Sequence, residues 1–382
     1  MAKINSFSNV SWALAFASAL GMGVLMVLDQ TAYVGLTLVS FFLMLALGCR
    51  SRESLKGFSF TLLIFASVSA ALFYPGYFQQ IQGFDLKKLI TPLLQLIMFG
   101  MGTSMSVQDF KGVVSMPKGV VVGLLCQFTV MPLIGFSLAQ LLHVSPEIAA
   151  GIILIGSAPS GLASNVMTYL AKGNLALSVT LTAIATLMAP FLTPAFMSLL
   201  AGELVEVNLM SMMWNMMQMV VLPVIVGLAF NHWARGRIQW LDRALPTVSM
   251  LGIAYIITII TAAGRDALLE VGLLLVLAGI FHNTAGYFLG YWGGRLFSMP
   301  ERDCRTIAIE VGMQNGGLAS ALANEMGKIA TVGLAPAIFG PVMNITGSVL
   351  ANYWRRKPLT KEATIDKHFP FSSEKTKYPD KI

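Results

Sequence analysis

Long apolar stretches joined by short, often basic loops run through almost the whole of this chain, and they leave room for one broad class of fold. A helix needs about 20 mostly apolar residues to cross the hydrocarbon core of a bilayer. Such stretches occur near 11–28, 32–47, 58–73, 89–105, 119–142 and 148–170, then near 175–200, 209–231, 245–263, 267–292, 304–323 and 329–354. Charged residues make up 11% of the 382 and mean hydropathy is +0.73, against about 25% charged in a typical soluble domain. So few charges cannot cover a water-facing surface of this size. The expected architecture is an all-α polytopic membrane protein with roughly twelve spans, and the lipid bilayer is its surroundings.

The basic residues set the expected orientation. One set of loops holds Arg50, Arg52 and Lys56, then Lys111 and Lys118, Lys172, Arg235, Arg237 and Arg243, Arg295, Arg302 and Arg305, and Arg355 to Lys357. The alternate set holds only Lys87, Lys88, Arg265 and Lys328, with Glu203 and Glu206 in a loop free of basic residues. The positive-inside rule then puts both termini in the cytoplasm and favours an even number of spans. It also accounts for the net charge of +7 without a nucleic-acid partner. The first apolar stretch, behind Lys3, has some features of a signal peptide. A second span follows after only Asp29-Gln30-Thr31, and a retained hairpin is the favoured reading.

Two spans break the smooth Leu/Val/Phe pattern. One reads Gly156-Ser157-Ala158-Pro159-Ser160-Gly161-Leu162-Ala163-Ser164-Asn165, the other Glu310-Val311-Gly312-Met313-Gln314-Asn315-Gly316-Gly317-Leu318-Ala319-Ser320. Open backbone at membrane depth is tolerated only where protein buries it or where it lines a cavity. The segments echo each other, Ser160-Gly161-Leu162-Ala163-Ser164 against Gly316-Gly317-Leu318-Ala319-Ser320. Each falls in the fourth span of a five-span block, residues 58–200 and 209–354. An odd number of spans per block inserts the second copy upside down, and paired broken spans in inverted halves point to a transporter's binding site. Close helix packing would also explain the glycines, but not the polar side chains at the same depth.

Glu310 is the sharpest of these. A carboxylate at the bilayer centre costs at least about 2.5–3.5 kcal/mol, so two readings are open: a ligand for a hard cation, or a residue near the rim beside Arg305. Ser178 and Thr182 share a helix face four residues apart; with Ser164 and Asn165 they supply the oxygens a cation cage needs. Gln127 lies within another span, where an amide ordinarily bonds between helices.

The run Ala163-Ser164-Asn165-Val166-Met167-Thr168-Tyr169-Leu170-Ala171-Lys172-Gly173-Asn174-Leu175-Ala176-Leu177-Ser178, followed later by Glu310-Val311-Gly312-Met313-Gln314-Asn315, resembles the bile acid:sodium symporter family, its bacterial members most of all, over about residues 58–354. The resemblance implies a ten-helix core of two inverted five-helix repeats, split into core and panel groups, with two crossing, unwound helices that hold two Na+. By motif, the first sodium site would be Ser164, Asn165, Ser178, Thr182 and Glu310. The second would be Gln127, Glu310, Val311, Met313 and Gln314, with Val311 and Met313 giving backbone carbonyls. Asn344 matches a cavity-lining asparagine of the family, and Asn315 joins it. Relatives often carry threonine where this chain has Leu162, which bears on substrate choice. The implied activity is sodium-coupled symport of an organic anion, such as a bile acid or small carboxylate, across the bacterial inner membrane. A proton-coupled or sodium-independent carrier is the alternative.

The implied layout is an additional hairpin over residues 1–57, the symporter core over 58–357 and a disordered tail over 358–382. No HExxH, GxSxG or intramembrane aspartate pair occurs, so a membrane enzyme is not expected. Cys49, Cys126 and Cys304 form no CxxC pair and read as packing residues. The methionines of 210–219 read as an adaptable packing or lipid face. His282 reads first as a hydrogen-bonded interhelical histidine and second as a proton site. Ser145-Pro146-Glu147 reads as an N-cap, first-turn proline and dipole-matched carboxylate.

Overall fold

In water an exposed run of Leu, Val and Phe would be costly, but in lipid it needs only that each backbone N–H and C=O be bonded within its own segment. Helices therefore dominate. The computed structural model describes residues 2–51, 59–106, 108–234 and 239–357. The first elements are α1 (Ala2–Val27), α2 (Thr31–Arg50), α3 (Ser59–Phe73), α4 (Ile90–Ser104), the short α5 (Gly112–Ser115) and α6 (Pro117–Leu141). Then come α7 (Pro146–Ser157), α8 (Leu162–Leu170), α9 (Leu175–Ala201), α10 (Leu209–Met216) and α11 (Leu222–Ala234). The last five are α12 (Gln239–Ala263), α13 (Arg265–Leu296), α14 (Glu301–Gly312), α15 (Gly316–Glu325) and α16 (Leu334–Arg356). The proposed tail and the loop arginines Arg235 and Arg237 lie outside the described residues.

Among the described residues, seven helices are individually long and apolar enough to cross a membrane, or up to eight with the pair Leu86–Ser104 and Asp109–Ser115, bent by 73°, taken as one span. The expected count of roughly twelve is larger for a physical reason. Each of the twelve apolar stretches holds helix, but several are shorter or broken. Ser59–Phe73 and Pro146–Ser157 are single short apolar helices, α7 and α8 share one stretch, and so do α14 and α15. Between α10 and α11 the chain widens to a π-helical turn over Met217–Val221. Pro223 lies just beyond and lacks the N–H that a regular turn would use.

A two-residue hairpin joins α3 to α4, pairing Gln80 with Asp85 and Ile81 with Phe84 in antiparallel register. Its turn places Gln82 and Gly83 at φ +50° and +83°, both in the left-handed region that such turns require. Asp85 accepts from the amide of Lys87 and starts the next turn.

The helices pack in two groups. In one, α12 packs on α3 and α4, and α4 packs on α11; α6, α7, α9, α13, α14 and α16 form the other set. In the first, Gly102 and Gly227 let α4 and α11 approach backbone to backbone, since a Cβ on either would overlap a carbonyl of the other helix. The α1–α2 hairpin packs on the outside of this group, along α3. The methionine stretch divides as an amphipathic face should, with Met212, Met216 and Met219 buried and Met210 exposed. α15 bridges the groups, touching α4 and α12 on one side and α16 on the other.

Candidate functional site

The two unusual segments are breaks, and they meet. α7 stops at Ser157 because Pro159 cannot continue it and forces Ala158 into an extended conformation, φ −75° and ψ 152°. α14 stops at Gly312, and α15 restarts behind Asn315, whose side-chain oxygen accepts from the amide of Leu318. In the gaps Ser160 and Gln314 form an antiparallel β-bridge. Gly161 N donates to Met313 O at 3.2 Å, and Asn315 N donates to Pro159 O at 2.7 Å. Each broken helix thus satisfies backbone groups of the other, as burial at this depth demands. A Cβ on Gly161 would sit 3.4 Å from the Asn315 backbone.

Beside this crossing lies Glu310, 2% exposed in the last turn of α14. Ser164 Oγ and Ser178 Oγ donate to its Oε1 at 2.6 and 2.5 Å, and Thr182 Oγ1 donates to Oε2 at 2.8 Å. Asn165 Oδ1 stands 2.8 Å from Ser178 Oγ and 3.4 Å from Thr182 Oγ1. All five residues assigned to the first cluster therefore come together, from α8, α9 and α14. Arg305, five residues earlier on the same helix, pairs with Glu301 and not with Glu310. Burying a carboxylate costs several kcal/mol even after relaxation, roughly. Three hydrogen bonds to a charged group return about 1.5–3 kcal/mol each, enough to hold it there. The oxygen-rich cluster around one carboxylate is the donor set a small hard cation takes.

The second group is looser. Gln127 Nε2 on α6 donates to Ala158 O at 3.0 Å, and Gln314 Nε2 donates to Val311 O at 2.5 Å. Both amide oxygens, Gln127 Oε1 and Gln314 Oε1, are buried without a hydrogen-bond donor. Met313 O is already used by Gly161 N. A buried acceptor with no donor costs about 1–3 kcal/mol, a cost that a cation beside either oxygen would relieve. Leu162 opens α8 and packs partly buried against the main apolar core. Asn315 and Asn344 are both half-buried, at the start of α15 and midway along α16.

Three features depart from the expectations. Thr168, one turn beyond Ser164, comes within 3.3 Å of Ser178 Oγ; its spacing of four from Ser164 on α8 is the signal that places it on the same face. Neither ring nitrogen of His282 has an interhelical hydrogen bond, both being buried without a well-aligned partner. The ring lies instead against Phe339 with centroids 5.3 Å apart, and Nε2 would be 3.2 Å from a Cβ on Gly156. Ser145 does precede Pro146 and Glu147 at the start of α7, but its side chain makes no capping bond; Glu147 pairs with Lys328.

Residues 91–271 match the model of the Sodium Bile acid symporter family. Over 307 residues the chain is 41% identical to the uncharacterized sodium-dependent transporter YocS of Bacillus subtilis (strain 168), across 80% of this chain and 93% of that protein. The chain belongs to the sodium/bile acid symporter family. This symporter-family chain is also 36% identical over 274 residues to the probable sodium/metabolite cotransporter BASS1, chloroplastic, of Oryza sativa subsp. japonica, covering 70% of this chain and 68% of that protein. It is 32% identical over 255 residues to the human ileal sodium/bile acid cotransporter, covering 64% of this chain and 71% of that protein. The symporter is thus a multi-pass integral membrane transporter and not an enzyme.

Proposed function

We propose that this symporter couples inward Na+ movement to uptake of an organic anion, with the Glu310 cluster as its first sodium site. The observation that carries this reading is the convergence of Ser164, Ser178 and Thr182 on the one buried carboxylate at the crossing. Asn165 completes that site. Gln127, Gln314 and the carbonyls of Val311 and Met313, with Glu310 shared between the two, form the second. The unpaired oxygens of Gln127 and Gln314 support this assignment.

One carboxylate facing two Na+ leaves a net positive centre, and α8 and α15 both begin at the crossing with their positive dipole ends toward it. That field favours an anion held near Leu162, Asn315 and Asn344. Bile acids and small carboxylates both fit the class. Transport proceeds by alternating access, one helix group moving against the other, in a core of two inverted five-helix repeats. Support for the inversion comes from the antiparallel pairing of two equivalent breaks. The loop charges support cytoplasmic termini in a bacterial inner membrane, an orientation that a reporter fused after Ile382 reads directly.

The test is thermal. A ligand bound only by the folded state raises its stability by mass action, so the purified protein melts higher in NaCl than in KCl at equal ionic strength. Glu310→Gln keeps the side-chain shape, loses the charge and removes that difference while the KCl midpoint stays close to wild type. Equal midpoints for the wild type, or an undiminished sodium response in Glu310→Gln, overturn the assignment.

A further inference from the structure

Arg305 is the largest of the fully buried side chains among the described residues, 2% exposed, and the ion sites make no use of it. A guanidinium keeps its charge under essentially all conditions and offers five donors in a rigid fork, so its surroundings have to be built for it. Nε donates to Glu301 Oε1 at 2.9 Å one turn earlier on α14. Nη1 donates to Ala171 O at 3.2 Å and to Trp354 O at 3.1 Å, and the group lies 5.8 Å from the centre of the Trp354 ring. Ala171 caps the C-terminus of α8, and Trp354 lies in the last turn of α16. The cation therefore bridges the negative dipole ends of two helices, where positive charge is stabilising.

The same face of α14 grips the turn that follows α8. Asn174 Nδ2 donates to Asp303 Oδ1 at 2.8 Å, Asn174 N donates to Thr306 Oγ1 at 2.7 Å, and Arg302 reaches Gly173 O at 3.4 Å. The turn is tight, with Lys172 at φ +58°. Each piece tied together here carries members of the candidate site. α8 bears Ser164 and Asn165, α9 bears Ser178 and Thr182, α16 bears Asn344, and α14 bears Glu310, five residues beyond Arg305. Around the crossing itself the breaks leave little regular backbone to keep these helices in register.

We propose that Arg305 is a positioning residue for the first sodium site, locking α8, α14 and α16 into one body so that the oxygens around Glu310 are set at cation distance before sodium arrives. This rests on the sodium reading of that cluster. Outer groups that orient metal ligands commonly carry about 10–100-fold in affinity. Lysine keeps the charge but is a point donor that cannot span Glu301, Ala171 and Trp354 together. A merely structural arginine would change stability alone.

The experiment titrates NaCl against KCl at constant ionic strength and follows the melting midpoint of the purified full chain. Wild type, Arg305→Lys and Asn174→Ser are compared; the serine keeps a capping oxygen for Leu177 and loses the amide that reaches Asp303. Arg305→Lys raises the half-stabilising sodium concentration by about tenfold, and Asn174→Ser shifts it in the same direction. If Arg305→Lys does not fold, the Asn174→Ser shift decides. Variants that melt lower by one constant amount at every sodium concentration, with the wild-type half-point, overturn the proposal while leaving the sodium reading intact. A wild type indifferent to sodium overturns both.

Discussion

Leu162 opens α8 directly after the bridge between the broken helices, two residues ahead of Ser164 and three ahead of Asn165. Its side chain is half-buried and meets the apolar core from the crossing side. A fully buried leucine offers apolar contact worth about 1.5–3 kcal/mol, whereas threonine offers a hydroxyl to a polar headgroup. In Leu162→Thr the protein is expected to prefer smaller, more polar anions such as hydroxy acids, with sodium affinity unchanged. A thermal-shift panel of carboxylates at fixed sodium reads the preference. An unchanged ranking means that this position does not read substrate, and a large loss of sodium affinity means that it belongs to the ion site.

The breaks at 157–162 and 312–316 place irregular backbone at the crossing, and hydrogen bonds between the two segments satisfy it. The opposite need, close and rigid contact, is met in the pair α4 and α11. Gly102 faces the Val224 carbonyl and Gly227 faces that of Phe99, so neither helix can accept a Cβ without moving apart. Overpacking of such a contact costs about 1–3 kcal/mol. Gly102→Ala is expected to destabilise the protein in detergent by about that much, read as a lower unfolding midpoint in NaCl and KCl alike, because the pair lies away from the Glu310 cluster. A midpoint equal to wild type would mean that the helices part at no cost.

The α1–α2 hairpin packs along α3, on the group that carries none of the proposed sodium ligands. Most of the large side chains of α1 from Val10 onward face outward, among them Phe16, Leu20, Val24 and Val27, as lipid contact allows. A protein lacking residues 1–50 is therefore expected to keep the difference between NaCl and KCl melting midpoints. If the shortened protein folds yet no longer responds to sodium, the hairpin is part of the transport machinery. The Glu310 cluster, by contrast, draws on α8, α9 and α14 together.

Hydropathy alone determined that this is a membrane protein of many helices, because transfer into lipid depends on local composition and a run of 20 residues carries enough of it. The positions of both breaks were equally legible, since proline and glycine act on their own backbone. So was Glu310, whose charge is anomalous wherever the neighbouring helices run. Convergence was another matter. Ser164 and Glu310 are 146 residues apart, and no local preference brings them together; only the crossing of two broken helices does. The same holds for Arg305, which in sequence is one more basic residue near a helix start and in the folded chain is buried against two helix ends. Its burial depends on where α8 and α16 finish, a matter of packing among distant segments that the residues around it do not encode.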